Sequence, residues 1–322
     1  MTTFKDAAPP FSRELTDPGL EAPDLILRSS DAIDFYTHRH FLVYVSPVFR
    51  DMFTFPAPTQ LVEGVDLRDD IPVVQLAEPS DALRKLLLLC YPGALSQEPL
   101  SKLDGLYLVY RAADKYQVPG VKDAIIKALP NFVKGDAYRV YAFACGFGLA
   151  ELAKVAALET LKDAFLPMNR QYTEPEFELV SGPALLRLHS FLFECRNAAV
   201  IAVQGEYLHV EPYDLEDKDG PWWTSTGHAQ DCGAVFDAEI DFCAPARWYG
   251  EHMAAVGKVV DSHPNGDSAA KAVLDYSQSL HKISKCQVCS RDSAESLSRL
   301  AGYLQRRVDN YNQSKLAKWQ FL

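Results

Sequence analysis

The sequence contains no apolar run close to the ~20 residues needed to cross a bilayer. Its opening residues, MTTFKDAAPPFSRELTDPG, lack the apolar core of a signal peptide. Together these imply an intracellular protein, in the cytoplasm and/or the nucleus, with no membrane contact. Positive charge is also short: 32 Lys and Arg stand against 43 Asp and Glu, a formal net charge of -11. Such a balance argues against general attraction to nucleic acid or anionic lipid. Cysteines number seven, an odd count at irregular spacing, so a disulfide framework is a poor reading. Reduced thiols or metal ligands are the better one. No P-loop, no GxGxxG opening a helix and no assignable Ser/His/Asp arrangement is present. The many carboxylates are not paired in a way that suggests acid–base chemistry, so no catalytic activity is expected.

The chain does have enough apolar residues for sizeable cores. Its 322 residues are 48% hydrophobic, which suggests two domains or one large one. Residues 1–22 are rich in Pro, Asp and Thr and are expected to be poorly ordered. The stretch from Asp24 to Phe53 is the most strongly patterned. Leu25 and Leu27 alternate with Ile26 and Arg28, Phe35 alternates with Asp34 and Tyr36, and Ser29-Ser30-Asp31 has turn chemistry. The period then changes. Phe41, Leu42, Val45, Val48, Phe49, Met52 and Phe53 recur at helical spacing. Ser46-Pro47 supplies an N-cap and a first-turn proline, so one helix ends near Tyr44 and another begins at Pro47. Further on, Pro72–Leu76 reads as a strand, and Leu83–Cys90, Leu106–Tyr116 and Val118–Leu129 read as helices.

This ordered run resembles a BTB/POZ domain over about residues 23–130. The resemblance rests on His38 at the hairpin end, Leu42, the Ser46-Pro47-x-Phe49 helix start, Met52 and Phe53. It implies an α+β fold, a small mixed sheet with helices, acting as a protein-interaction module. In some cullin-binding members an apolar-x-glutamate motif lies where this chain has Leu61-Val62-Glu63. Leu61 and Glu63 are thereby candidate partner contacts, with a cullin scaffold as the candidate partner; a merely solvated loop is the alternative. Many members also use a long N-terminal helix for exchanged dimers. Arg13–Leu20 is too short and polar to supply it, so a weak or absent exchanged dimer is expected, and homo-oligomerisation is left open.

After the domain, residues 131–210 read as a helical extension. Two helices lie between Asp136 and Phe165, separated by Gly146 and Gly148. This pair resembles the extension that widens the docking surface in cullin adaptors, which makes Tyr138 and Tyr141 further partner candidates. It can equally serve only to cover the end of the preceding helices. A long helix from Pro183 to about Glu206 is apolar on most sides and is expected to be largely buried. Cys195 on it, like Cys90 and Cys145, is expected in a core, and His189 is expected as a hydrogen-bonded core histidine.

Residues 211–322 hold the remaining chemistry. Cys286-Gln287-Val288-Cys289 is spaced to grip one tetrahedral Zn²⁺ from one side, and a closed structural site needs two more ligands. His228 and Cys232 are the best second pair; Cys243, His252 and His263 are the alternatives, and ordinary reduced thiols are the plain alternative to any site. One structural zinc is the implied cofactor. Two helices are expected to follow, over Ala269–Ile283 and from Asp292 to about Trp319. The overall layout resembles BTB proteins abundant in mushroom-forming (basidiomycete) fungi. Trp222-Trp223, Trp248-Tyr249 and the late Cys286/Cys289 pair match their order. Ser225 and His228 depart from it, standing where those proteins have two cysteines. A second function class, a BTB-containing transcription regulator, rests on the locally basic Lys282–Leu322, with eight Lys or Arg against three Asp or Glu. The basic residues are dispersed and the finger spacing of DNA-binding zinc modules is absent, so nucleic acid is not the expected partner.

Overall fold

The computed structural model describes residues 4–13, 21–54, 66–91, 98–163, 172–208, 228–229, 232–233, 235–237, 242–244 and 246–321. The chain divides into two compact units, residues 1–132 and 133–322.

The first unit is built on five strands: β1 (Lys5–Asp6), β2 (Leu25–Arg28), β3 (Ile33–Thr37), β4 (Leu67–Arg68) and β5 (Ile71–Gln75). Their order in the sheet is β1-β3-β2-β5-β4. The β2–β3 hairpin is antiparallel, with Leu27 opposite Phe35, and β5 joins β2 in parallel. All four residues of β2 are buried, as befits a central strand covered on both faces. Helices α1 (Arg39–Val45), α2 (Pro47–Thr54), α3 (Ser80–Cys90), α4 (Leu106–Lys115) and α5 (Pro119–Ala128) complete it.

Ser46 is the joint that the sequence suggests. Its hydroxyl accepts from the Phe49 N–H at 3.0 Å and donates to the Tyr116 carbonyl at 2.5 Å. It thus caps α2 and ties that helix to the end of α4. Phe49 is 1% exposed and stacks on Tyr116 at 4.6 Å. His38 lies between two fixed partners: its Nε2 donates to the Glu21 carbonyl at 2.8 Å, and its Nδ1 lies 3.4 Å from the Tyr91 hydroxyl. Under the sheet, Asp34 is fully buried. It accepts from Arg28 at 2.6 and 3.0 Å and from Arg68 at 2.5 Å. Burial alone would raise its pKa, but the two guanidiniums outweigh that and hold it below the usual carboxylate range.

The N-terminal segment is more ordered than its composition implies. β1 pairs in parallel with β3, and Phe11 is buried against Phe35 and Tyr91, with ring centroids 6.1 and 5.3 Å away. Two aromatic contacts and three backbone hydrogen bonds, Lys5 N–H to Ala32, Ala7 N–H to Asp34 and Tyr36 N–H to Phe11, outweigh a proline-rich composition here.

Among its described residues the second unit is mostly helical, with a hairpin of β6 (Val235–Asp237) and β7 (Phe242–Ala244). Its helices are α6 (Val133–Gly146), α7 (Ala150–Glu159), α8 (Gly182–Leu208), α9 (Arg247–Ser262), α10 (Gly266–Leu274), α11 (Leu280–Ile283) and α12 (Gln287–Lys318). Gly148, at φ +69°, makes the turn between α6 and α7, a conformation that glycine adopts without strain. Gly266 is needed for a different reason. A Cβ there would come within 2.5 Å of the Gln305 carbonyl and the Asp309 carboxylate, so the start of α10 can lie directly on α12. Asn265 caps α10 by accepting from the Ser268 N–H at 2.9 Å.

Four expectations change. Ala269–Ile283 is not one helix: α10 stops at Leu274 and a 3₁₀ turn at Ser277–Ser279 leads into α11. α12 starts at Gln287 instead of Asp292, with Cys286 in extended geometry at its N-cap. α8 is not buried all round, because Leu185, Leu186, Phe193 and Ile201 are exposed. His189 is exposed on the same helix, so it is not a core histidine. The core-facing side of α8 carries Leu188, Phe191, Leu192, Cys195 and Ala199, which is enough apolar surface for one interface. Among the described residues no helix is long and apolar enough to cross a membrane.

Candidate metal centre

The core between α8, α9, α10 and α12 contains Ala199, Val203, Trp248, Tyr249, Met253, Val256, Ala269, Leu300 and Leu304, together with Cys286 and Cys289. The turn carrying His228 and Cys232 closes over this core. The Cys232 N–H bonds to the Ala229 carbonyl at 3.0 Å, and Gly233 follows with φ +78°, a left-handed residue that turns the chain away at once.

The result is one group of four side chains, His228, Cys232, Cys286 and Cys289, whose ligand atoms all lie within 4.8 Å of one another. His228 Nδ1 faces all three sulfurs, at 3.5 Å from Cys232, 3.4 Å from Cys286 and 3.6 Å from Cys289. The Cys232 and Cys289 sulfurs are 3.5 Å apart. In a tetrahedron with metal–sulfur bonds of about 2.3 Å and metal–nitrogen bonds of about 2.0–2.1 Å, the N···S edges are about 3.5 Å and the S···S edges about 3.8 Å. The three N···S spacings match that geometry and the Cys232–Cys289 spacing is about 0.3 Å short of it, so the group can hold a metal ion.

Sequence and local fold explain why these positions converge. An extended Cys286 followed by a helix puts the first-turn N–H groups of α12 beside the sulfurs, at the positive end of the helix dipole. Cys289, one turn on, points the same way. The Trp248 indole, near the start of α9, donates to the Cys289 sulfur at 3.3 Å. Such a donor fixes a ligand's orientation and spreads its charge.

The thiols elsewhere behave as packing groups. Burial pushes Cys90 and Cys195 up to about 12, and it raises Cys145, which is only half-buried. Cys286 goes the other way. Burial would raise it too, but hydrogen bonds from the backbone N–H groups of Cys289 and Ala229, with contacts to Cys289 and His228, bring it down to about 6. Cys289 is pushed up, first by burial and then by the neighbouring thiols, against the Trp248 indole. The group therefore holds a thiolate at neutral pH, and a bound dication would deprotonate the remaining sulfurs.

The other ligand candidates fall elsewhere. His252 donates through Nε2 to the Val273 carbonyl at 2.8 Å, and neither it nor His263 belongs to the group. The Cys243 side chain, Trp222, Trp223 and Ser225 lie outside the described residues. So do Leu61 and Glu63. Tyr138 and Tyr141 are buried, and the Tyr141 hydroxyl donates to the Ala184 carbonyl at 2.8 Å. They line the floor of an apolar cavity of about 360 Å³. Its accessible rim consists of Tyr172, Leu185, Leu186 and His189.

Residues 13–132 match the family model of the BTB/POZ domain. The first unit thus contains a BTB/POZ domain. The match spans β2–β5, the Ser46-Pro47 helix start and α3–α5, and stops where α6 begins. No curated protein matches the chain. BTB/POZ domains are in general protein-interaction modules, so the BTB/POZ part of this chain is one by membership, and the metal group lies in the part the family model does not cover.

Proposed function

We propose that the chain is an intracellular adaptor that recruits a protein partner through its BTB/POZ domain, with a cullin-type scaffold as that partner. The domain match over residues 13–132 carries this reading. Leu61 and Glu63 supply the scaffold contact. In the second unit, His228, Cys232, Cys286 and Cys289 hold one Zn²⁺. Soft thiolates with one imidazole suit zinc, and four protein ligands leave no position for water, so the ion is structural.

The alternative, a DNA-binding regulator, has less support. Four of the eight cations of the C-terminal segment face carboxylates: Lys282 pairs with Glu251, Arg291 with Asp292, Arg299 with Glu295 and Lys315 with Glu194. Charges already paired gain little from phosphates. Calorimetry of the full chain with a cullin N-terminal domain tests the adaptor reading. Saturable binding that Leu61→Ala and Glu63→Ala weaken together is the expected result. No binding to the cullin, with saturable binding of duplex DNA at modest salt, would move the assignment to the regulator.

A further inference from the structure

Beside the metal group, Cys232 and Cys286 form part of the wall of a second cavity, of about 250 Å³, whose other lining is Trp248, Arg247, Lys285 and the Lys282–Glu251 ion pair. The two sulfurs do not reach it equally. Cys286 is 2% exposed and Cys289, which does not line the cavity, is fully buried, whereas Cys232 is half-buried. A loaded centre of three thiolates, one neutral imidazole and a dication carries one net negative charge, which Arg247 and Lys285 offset, Lys282 being paired with Glu251. The same cations stabilise negative charge developing on a group that leaves from the sulfur. The partner for a second step is already in place, because the Cys289 sulfur lies 3.5 Å from that of Cys232.

We propose that Cys232 is an oxidation site, and that a peroxide entering this cavity converts Cys232 and Cys289 to a disulfide and expels the metal. The inference rests on the zinc reading given above. In the first step the Cys232 thiolate attacks one peroxide oxygen. An S–O bond forms, the O–O bond breaks, and hydroxide leaves and is protonated to water. The sulfur is oxidised to a sulfenic acid and hydrogen peroxide is the oxidant. In the second step the Cys289 thiolate attacks the Cys232 sulfur. An S–S bond forms, the S–O bond breaks, and the second hydroxide leaves as water. The ion then keeps only Cys286 and His228, too few ligands for a closed site. The disulfide crosses from the His228–Cys232 turn to the first turn of α12, so the segment is retained in an oxidised, metal-free form that a thiol reductant reverses.

The test uses the full chain loaded with zinc, treated with hydrogen peroxide while a chromophoric chelator reads released metal. Release of about one zinc per chain, with a Cys232–Cys289 linkage in the non-reduced peptide map and recovery after dithiothreitol and zinc, is the expected result. Cys232→His keeps four ligands of acceptable type and should slow release by about tenfold or more. Brief iodoacetamide treatment of the wild-type, zinc-loaded chain adds a reading independent of any variant: Cys232 should be alkylated before Cys286 and Cys289. A loaded chain that keeps its zinc in peroxide overturns the proposal alone, as does release from Cys232→His at the wild-type rate, or Cys286 or Cys289 reacting first. A chain that takes up no zinc overturns the metal reading and this proposal together.

Discussion

In the BTB/POZ-containing unit the largest buried side chains are Phe11, Phe35, Phe49 and Tyr116, packed on a sheet whose polar interior is closed by Arg28, Asp34 and Arg68. In the second unit the core between α8, α9, α10 and α12 runs into Cys286, Cys289 and the half-buried Cys232. Every polar atom of the Arg28–Asp34 pair finds its partner within the protein. Three sulfurs and a ring nitrogen instead come together as one group, the ring nitrogen 3.4–3.6 Å from each sulfur. The difference separates a unit closed by its own side chains from one that a cation would complete. It predicts different responses to chelators.

The largest contrast should come from zinc removal. Binding energies of structural zinc in small finger peptides are about 10–16 kcal/mol, so chelation or Cys289→Ser should open the hydrogen-exchange protection of α9 and the start of α12. The amides of β2, β3 and α3 should stay protected. Equal loss in both units would dissolve the contrast.

Next in size is Phe49→Ala, which empties a site between Phe53 and Tyr116. It should cost about 3–5 kcal/mol in chemical denaturation, with zinc content unchanged. A loss under about 1 kcal/mol would mean that α2 does not depend on this packing.

Asp34→Asn sharpens the polar side of the comparison. Removing one partner of a buried pair costs about 3–5 kcal/mol, and the fall should appear as a lower denaturation midpoint. The pH dependence follows from sign. The folded pKa of Asp34 lies below its unfolded value of about 3.9. Its stabilising contribution is therefore complete above about pH 4 and is lost as pH falls through the folded pKa. Wild-type protein should show an acid-dependent loss of stability in that range that the Asn variant lacks; matching pH profiles would show that Asp34 is not the group responsible.

The smallest effect is expected from Trp248→Phe. It keeps an aromatic ring but removes the N–H aimed at the Cys289 sulfur. Loss of such a partner lowers metal affinity about 10-fold or more, measurable by competition with a chelator of known affinity. Unchanged affinity would assign the indole to packing alone.

The sequence disclosed these two units unequally, for physical reasons. The hairpin, Ser46-Pro47 and the face of Phe49 and Phe53 lie within thirty residues, where local periodicity and capping report directly on structure. β1 and β4 have two residues each, too few to show any alternation, and only their pairing makes them strands. α9 was legible in principle, since Trp248, Tyr249, His252, Met253, Val256 and Val260 fall on one buried face. The exposed side of α8 was not legible, because an apolar sequence does not say which side meets a neighbour. Three of the metal group's features could be read: the CxxC pair, the His228–Cys232 spacing and the donor types. The extended Cys286 and the Trp248 hydrogen bond arise from tertiary placement, 41 residues from Trp248 to Cys289, which no local pattern encodes.

The most direct measurement is the zinc content of the purified full chain, set beside the same measurement on Cys286→Ser and paired with limited proteolysis. The expected result is about one zinc per wild-type chain, little in Cys286→Ser, and cleavage of that variant within the second unit while the BTB/POZ domain survives intact. Wild-type protein that purifies without zinc, takes none up and resists protease as well as Cys286→Ser does would contradict it.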